Sequence, residues 1–450
     1  MTIDHFVKQI ADHAKSGRWD RLPAPVVHEC KRRIVDTFGC AIAALDAKPS
    51  RIARALAMRL SVSEGARLLG TDHKTLPELA TFANGVMARY LDGNDAFPGG
   101  GGHPSDVIAP MFALADTFGC SGGATIAAIA IGYDVHYALF HALRVFDKGL
   151  DHPFYTAVAT AAAAAKLLSL NESQTVNAIS LAITPNIALG ATRRGSLSMW
   201  KGCASGNAAR NGVFAALLAR AGMKGPERPA EGPLGLSELV GDRGLSLADA
   251  GQFRILQADM KYFVTEYHSI APVMMATRLA EGHAVDDIEA IAIATYKFAY
   301  EEIGSGPEKW RPTTRETADH SMPYIVAAAL VNGGFSDAIF EPARFADEQI
   351  LRLADKIIIR EDPELTRQLP HRFPCRMDMR ISGGRMRSAA MNYPRGHHDD
   401  PMSDEEVNDK FRQLASRKLS PTRAERALDR IWCLEGSPSA SDIFELFRID

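Results

Sequence analysis

Apolar positions along the first 265 residues recur at spacings of three and four, the period of a helix with one buried face. Residues 23–43, reading PAPVVHECKRRIVDTFGCAIA, show it most clearly, and residues 76–91 and 107–118 repeat it. Residues 157–168 follow a proline and an aromatic pair and run through five consecutive alanines. Alanine is the best helix former, and its small side chain lets helices approach closely, so an inner helix is predicted there. Residues 207–221 have the same character and stop at Gly222. The pattern changes after about residue 269. Residues 288–298, IEAIAIATYKF, alternate as a half-buried strand does. Residues 353–359 end in an isoleucine run, residues 375–382 alternate again, and residues 385–393 can pair with them. Between these, residues 323–331 read as a helix. From Pro401 helical signals return, with Ser403 followed by Glu405 and Glu406 as an N-cap region. Residues 423–433 and 441–447 extend them. The fold class expected is mainly α with an inserted α+β domain. Residues 1–268 and 396–450 form the helical part, and residues 269–395 the insert.

Composition narrows the partners. The chain has 450 residues and a formal net charge of -3, without a basic tail or an acidic block. Nucleic acid and an anionic membrane are therefore not expected partners. The N-terminus, MTIDHFVKQI, lacks the layout of a signal peptide, and the apolar stretches 125–131 and 157–168 are too short or too alanine-rich for a span. A cytoplasmic location is expected. The six cysteines, at 30, 40, 120, 203, 375 and 433, form no CxxC pair. Neither a thiolate metal site nor a disulfide framework is expected.

Candidate chemistry concentrates in a few segments. Asp92-Gly-Asn-Asp-Ala-Phe-Pro-Gly-Gly-Gly-Gly-His-Pro-Ser105 carries Asp92, Asp95, four glycines and His103. Glycine allows close approach of backbone to a ligand, and Ser105 can cap the next helix, whose N–H groups can accept an anion. The same residues would also make a structural turn. His152, in GLDHPFY, precedes the alanine-rich helix and can face the same cleft as His103. Arg193, Arg194, Ser196 and Lys201 place three cations within nine residues, beside Trp200 and small residues, which suits an anion pocket or a solvated face. Lys261 and His268 lie near the proposed domain boundary, where substrate clefts often occur. Residues 314–321, TRETADHS, hold Asp319 and His320. No HxxxH pair and no G-x-S-x-G elbow occur. His397-His398-Asp399-Asp400 reads as a solvated turn, and neither a metal nor a cofactor is expected.

These segments resemble the MmgE/PrpD family. The longest match is SMWKGCASGNAARNGVFAALLARAGMKGP at 198–226, followed by TRETADHSMPYIVAAAL at 314–330. LDGND…GGHPSD, GLDHPFYTAVA and KYFVTEYHS support it, with Phe263 where many relatives have proline. The resemblance implies a large helical domain with a smaller α+β lid, a homodimer, and no iron–sulfur cluster. It implies a lyase that dehydrates a small tricarboxylate, 2-methylcitrate, to 2-methylaconitate, with citrate as a second substrate. By the same resemblance Asp92, His103, His152, Lys201, Lys261 and His268 are the catalytic set, and Asp95, Arg194, Ser196 and His320 bind substrate. Asp92 or His103 would be the base, and His152 the acid for the leaving hydroxyl. Decarboxylation of cis-aconitate, an epimerase branch acting on iminodisuccinate, and a non-catalytic binding role stay open.

Overall fold

In the computed structural model, which describes residues 4–17, 19–241 and 253–449, the helical period at 23–43 becomes the helix Ala24–Ala43. Proline in its first turn removes an N–H that would have no partner within the helix. The patterns at 76–91 and 107–118 become Pro77–Tyr90 and Ile108–Phe118. The alanine-rich segment becomes Pro153–Leu167, where every residue but Lys166 is buried. It packs on Gly122–Leu143, a helix of 22 residues whose apolar stretch at 125–131 is only a third of its length. That helix is long and apolar enough to cross a membrane, but 89% of its most apolar window is buried inside the protein, as in a core helix. Small residues do bring helices together here. A Cβ on Gly212, in the helix Trp200–Arg220, would lie 2.5 Å from the carbonyl oxygen of Ala157.

The last fifty residues complete the same helical layer. Ser403 accepts a hydrogen bond from the Glu406 N–H, and the Glu406 carboxylate accepts one from the Ser403 N–H. This capping box starts the helix Asp404–Ala415, which packs on Ala24–Ala43 and pairs Lys410 with Asp36 at 2.7 Å. Pro421–Trp432 follows. The helical signal at 441–447 becomes the 3₁₀ helix Ala440–Phe447.

The α+β part is a four-stranded sheet in the order Ile357–Glu361, Ile288–Thr295, Cys375–Ile381, Arg385–Met391. The first pair is parallel, with Ile293 opposite Ile359; the other two are antiparallel, with Ile293 opposite Met377 and Cys375 opposite Met391. Alternation decides which face is covered. Cys375, Met377, Met379 and Ile381 are buried in a core shared with the helices Ile270–Ala280 and Met322–Val331, while Arg376, Asp378 and Arg380 face outward. The strand read at 288–298 stops at Thr295. Lys297 begins the helix Lys297–Ile303, and its N–H donates to Thr366 Oγ1 at 2.9 Å, so the alternation at 296–298 exists in sequence only. Likewise residues 353 and 354 belong to the helix Glu348–Ala354 rather than to the strand.

The chain divides into two compact units. One comprises Met1–Ala191, Gly202–Ala258 and Ser403–Asp450, the other Thr192–Lys201 and Asp259–Met402. Residues 1–3, 18, 242–252 and 450 of the expected helical domain lie outside the described residues. The divisions differ from those expected at 268/269 and 395/396. The Met260 N–H donates to the Gly396 carbonyl at 2.8 Å, and Asp259 accepts from the His398 N–H at 2.9 Å and from the Tyr267 hydroxyl at 2.6 Å. These bonds tie 259–268 and 396–402 to each other and to the sheet unit.

Candidate active site

In the larger unit, the helix Pro77–Tyr90 gives way to Asp92, whose φ of +52° is a left-handed backbone that few residues other than glycine, asparagine and aspartate adopt. Arg89 stands three residues before it and is fully buried. Its guanidinium donates to Asp92 Oδ1 at 2.5 Å and to His103 Nε2. A guanidinium can only donate, so His103 Nε2 accepts, and the proton of the neutral ring sits on Nδ1. That nitrogen donates to the Asp95 carbonyl at 2.6 Å. Both nitrogens of His103 are thus engaged.

Asp95 has a different part from the one expected. It is fully buried, and its carboxylate accepts from the Ser105 N–H at 3.0 Å and the Tyr133 hydroxyl at 2.6 Å, with Arg33 Nη1 at 3.9 Å. Burial raises its pKa, against the pull of Arg33, Ser105 and Tyr133. These partners make it an anchor of the loop rather than a substrate ligand. Ser105 does not cap a helix; its hydroxyl accepts from Asn94 at 2.8 Å, and the anion at its N–H is Asp95 itself.

The glycine-rich turn brings the two histidines together. The Phe97 N–H donates to the Gly102 carbonyl at 2.8 Å, and His136 Nε2 donates to the Gly101 carbonyl at 2.7 Å. Burial lowers the pKa of His136 to about 4, against the opposing effect of that hydrogen bond. Gly102 has a φ of +72°, and a Cβ there would lie 2.4 Å from Cγ and Nδ1 of His152. The His103 and His152 rings meet edge to face with centroids 5.3 Å apart. From behind, Lys410 Nζ donates to the Gly93 carbonyl at 2.7 Å.

The sheet unit carries a second cluster. Lys201 Nζ donates to both oxygens of Asp319, at 3.0 and 3.1 Å, and both side chains are buried. Arg315 Nη1 meets Asp319 Oδ2 at 3.1 Å, and His320 Nδ1 meets Oδ1 at 2.7 Å. Burial alone would raise the pKa of Asp319. The Lys201 ammonium, the His320 contact and Arg315 outweigh it and hold the carboxyl well below its usual range. Asp319 is therefore the hub that orients three basic side chains. Arg194 is exposed and pairs with Glu302 at 3.0 Å, and Ser196 is exposed beside it. Lys261 is buried.

His268 lies in a cage of rings. Tyr267, Tyr296 and Phe298 stand edge-on with centroids 5.3 Å away, and Phe373 lies at 6.2 Å. Its Nδ1 is hydrogen-bonded to the Tyr296 hydroxyl. The Glu266 carboxylate accepts from the His268 N–H at 2.7 Å and lies 3.7 Å from Nε2.

The turn at 397–400 is not wholly solvated. His397 is fully buried, stacked on Tyr393 at 4.6 Å and His398 at 4.1 Å. His398 Nδ1 lies 2.7 Å from Asp259 Oδ1, and His397 Nε2 lies 3.8 Å from Oδ2. Asp259, His397 and His398 are close enough to share a metal ion. However, His397 Nδ1 accepts from the Asp399 N–H at 3.0 Å, which puts the ring proton on Nε2, the atom that would have to bind the ion.

Several residues of these clusters escape a reading of the sequence. Arg89 was visible only as a lone cation in the apolar run VMARYL. Tyr133 and Tyr296 carried no signal, and Arg315 was visible only as part of the polar segment 314–321. Lys309 is buried with its pKa lowered by burial, against the attraction of Glu308, Glu302 and Asp319.

Comparison with known proteins covers nearly all of the chain. The family model of the MmgE/PrpD N-terminal domain matches residues 8–245, and that of the C-terminal domain matches residues 263–436. The alkylcitrate dehydratase phiI of Fungal sp. is 28% identical over 500 residues, spanning 99% of this chain and 97% of its own. The 2-methylcitrate dehydratase of Salmonella typhimurium is 27% identical over 459 residues, spanning 95% and 93%. That of Escherichia coli K12 is 28% identical over 435 residues, spanning 89% and 88%.

Proposed function

The chain belongs to the MmgE/PrpD family, and from that premise we propose that it is a hydro-lyase dehydrating 2-methylcitrate or a close tricarboxylate relative. Full-length similarity to 2-methylcitrate and alkylcitrate dehydratases supports the reading. The observation that carries it is the buried carboxylate of Asp92, held by Arg89 with His103 bonded to the same guanidinium and His152 against His103.

Dehydration removes a proton from the carbon beside a carboxylate and expels a tertiary hydroxyl from the neighbouring carbon. The carbon–oxygen bond breaks, a carbon–carbon double bond forms, and the hydroxyl leaves as water once it gains a proton. A base and an acid are both required. Arg89 favours the ionised form of Asp92 and occupies the Nε2 lone pair of His103, so Asp92 is the better base of the two. His152 supplies the proton to the leaving hydroxyl, its ring held against Gly102. Lys201 and Arg315, both oriented by Asp319, are the cations suited to hold a substrate carboxylate. Lys261 adds to them.

The test is turnover of 2-methylcitrate, citrate and cis-aconitate by the purified protein. Absorbance from a new conjugated double bond without carbon dioxide release supports dehydration. Carbon dioxide release from cis-aconitate alone, or no turnover of any of the three, overturns it. Asp92→Asn is expected to lower kcat by about 10²–10⁴-fold with little change in KM. An equal loss carried by KM alone would remove Asp92 as the base.

A further inference from the structure

We propose that Tyr296 is a positioning residue that fixes His268 as the Nε2–H tautomer and so makes it a proton donor in the substrate site. The argument begins with the phenol. Tyr296 is buried, at the end of the strand Ile288–Thr295, and its hydroxyl is hydrogen-bonded to His268 Nδ1. A buried hydroxyl needs an acceptor for its proton. Among the described residues, the acceptor found for it is that nitrogen. If Nδ1 carried a proton, both groups would be donors and the phenol proton would have nowhere to go. The phenol also stays protonated, because burial and the nearby Glu266 carboxylate push its pKa far above the usual value. The proton of the neutral imidazole is therefore on Nε2.

Geometry leaves little room for an alternative. The rings of Tyr267, Tyr296, Phe298 and Phe373 surround His268, and its backbone N–H is fastened to Glu266. A ring so enclosed cannot turn over to exchange its two nitrogens without displacing aromatic neighbours. His103 has the opposite tautomer, with Nδ1 protonated and Nε2 accepting from Arg89. Two histidines of the proposed catalytic set are thus wired in opposite senses, one by a phenol and one by a guanidinium. Of these two, His268 carries its ring proton on Nε2, on the side where the Glu266 carboxylate lies 3.7 Å away, and from there it can donate to a substrate carboxylate on which charge develops. This catalytic part rests on the dehydratase reading; the tautomer does not.

The experiment uses the full chain labelled with nitrogen-15 at its 14 histidines. Two-bond proton–nitrogen spectra distinguish a protonated from an unprotonated ring nitrogen, and the signals of His268 are those that disappear in His268→Gln. The native protein is expected to show Nδ1 unprotonated and Nε2 protonated. In Tyr296→Phe this pattern should give way to a mixture of tautomers, while Phe298→Leu, which removes a ring but no hydroxyl, should keep it. Native His268 protonated at Nδ1, or an unchanged pattern in Tyr296→Phe, overturns the proposal. Should Tyr296→Phe fail to fold, the native spectrum alone decides. With a turned-over tricarboxylate, Tyr296→Phe is expected to lower kcat about 10-fold or more with KM nearly constant. Absence of turnover in the native protein would count against the dehydratase reading and leave the tautomer result standing.

Discussion

Gly102 offers a sharp test of how the glycine-rich loop sets the position of His152. In Gly102→Ala the backbone must keep a φ of +72°, which costs an L-residue roughly 1–2 kcal/mol. The new methyl would also start 2.4 Å from Cγ and Nδ1 of His152. An ordinary carbon contact is about 3.5–4.0 Å, so the imidazole or the loop must give way by about 1 Å. Overpacking of this kind adds about 1–3 kcal/mol, for a total destabilisation of about 2–5 kcal/mol. A displacement of that size at a reacting group lowers turnover by about 10²-fold, or about 2.7 kcal/mol in the barrier. Gly99 supplies the control. Its φ is +78°, but a Cβ there would have nothing within 4 Å. Gly99→Ala should therefore show the backbone cost alone, with turnover reduced by less than about threefold. Thermal unfolding and kcat of both variants, with a tricarboxylate substrate, make the comparison. Equal losses of activity in the two variants would refute the argument, since backbone strain would then explain everything and contact with His152 nothing.

Other expectations follow from the buried charges. Lys201→Met should destabilise the sheet unit by about 1–3 kcal/mol, because Asp319 loses one buried hydrogen-bonding partner while Arg315 and His320 remain; adding Asp319→Asn should restore part of it, as thermal unfolding would show. No recovery in the double variant would mean that the loss comes from packing. His136 binds a proton in the unfolded chain near pH 6.5 but in the folded protein only near pH 4. Its contribution, on the order of 3 kcal/mol, is present above pH 6.5 and is lost as pH falls toward 4, since the unfolded state then holds more protons. Urea unfolding across that range should have a shallower pH slope in His136→Asn than in the parent, and parallel slopes would refute the assignment.

The sequence showed the periodic features and concealed those built from distant pairs. Residues 23–43 and 375–382 could be read because each buries one face of a regular element, so the apolar spacing carries the period. The overshoot at 296–298 arose because Tyr296 and Phe298 continue the alternation across a strand end that is set by Thr366, 69 residues beyond Lys297. Asp92, His103, His152 and Lys201 were found through motifs, but their partners were not. Arg89 went unremarked, because a sequence does not show that a guanidinium has two acceptors waiting inside. Asp319 was recognised without a role, since its pairing with Lys201 spans 118 residues. Asp95 looked like a ligand because a carboxylate that serves the loop and one that serves a substrate are spelled alike.

Lys410 gives the larger unit a dependence on time. It comes from the helix Asp404–Ala415, yet it holds the carbonyl of Gly93, next to Asp92, and the carboxylate of Asp36. During synthesis the loop emerges more than three hundred residues before the lysine that braces it. A partly made chain, or one cut before residue 404, has Asp92 but lacks the lysine that holds the neighbouring Gly93 carbonyl. The shape of the loop at Gly93 is therefore settled by a residue 317 positions further along the chain, and a cut between them would release it.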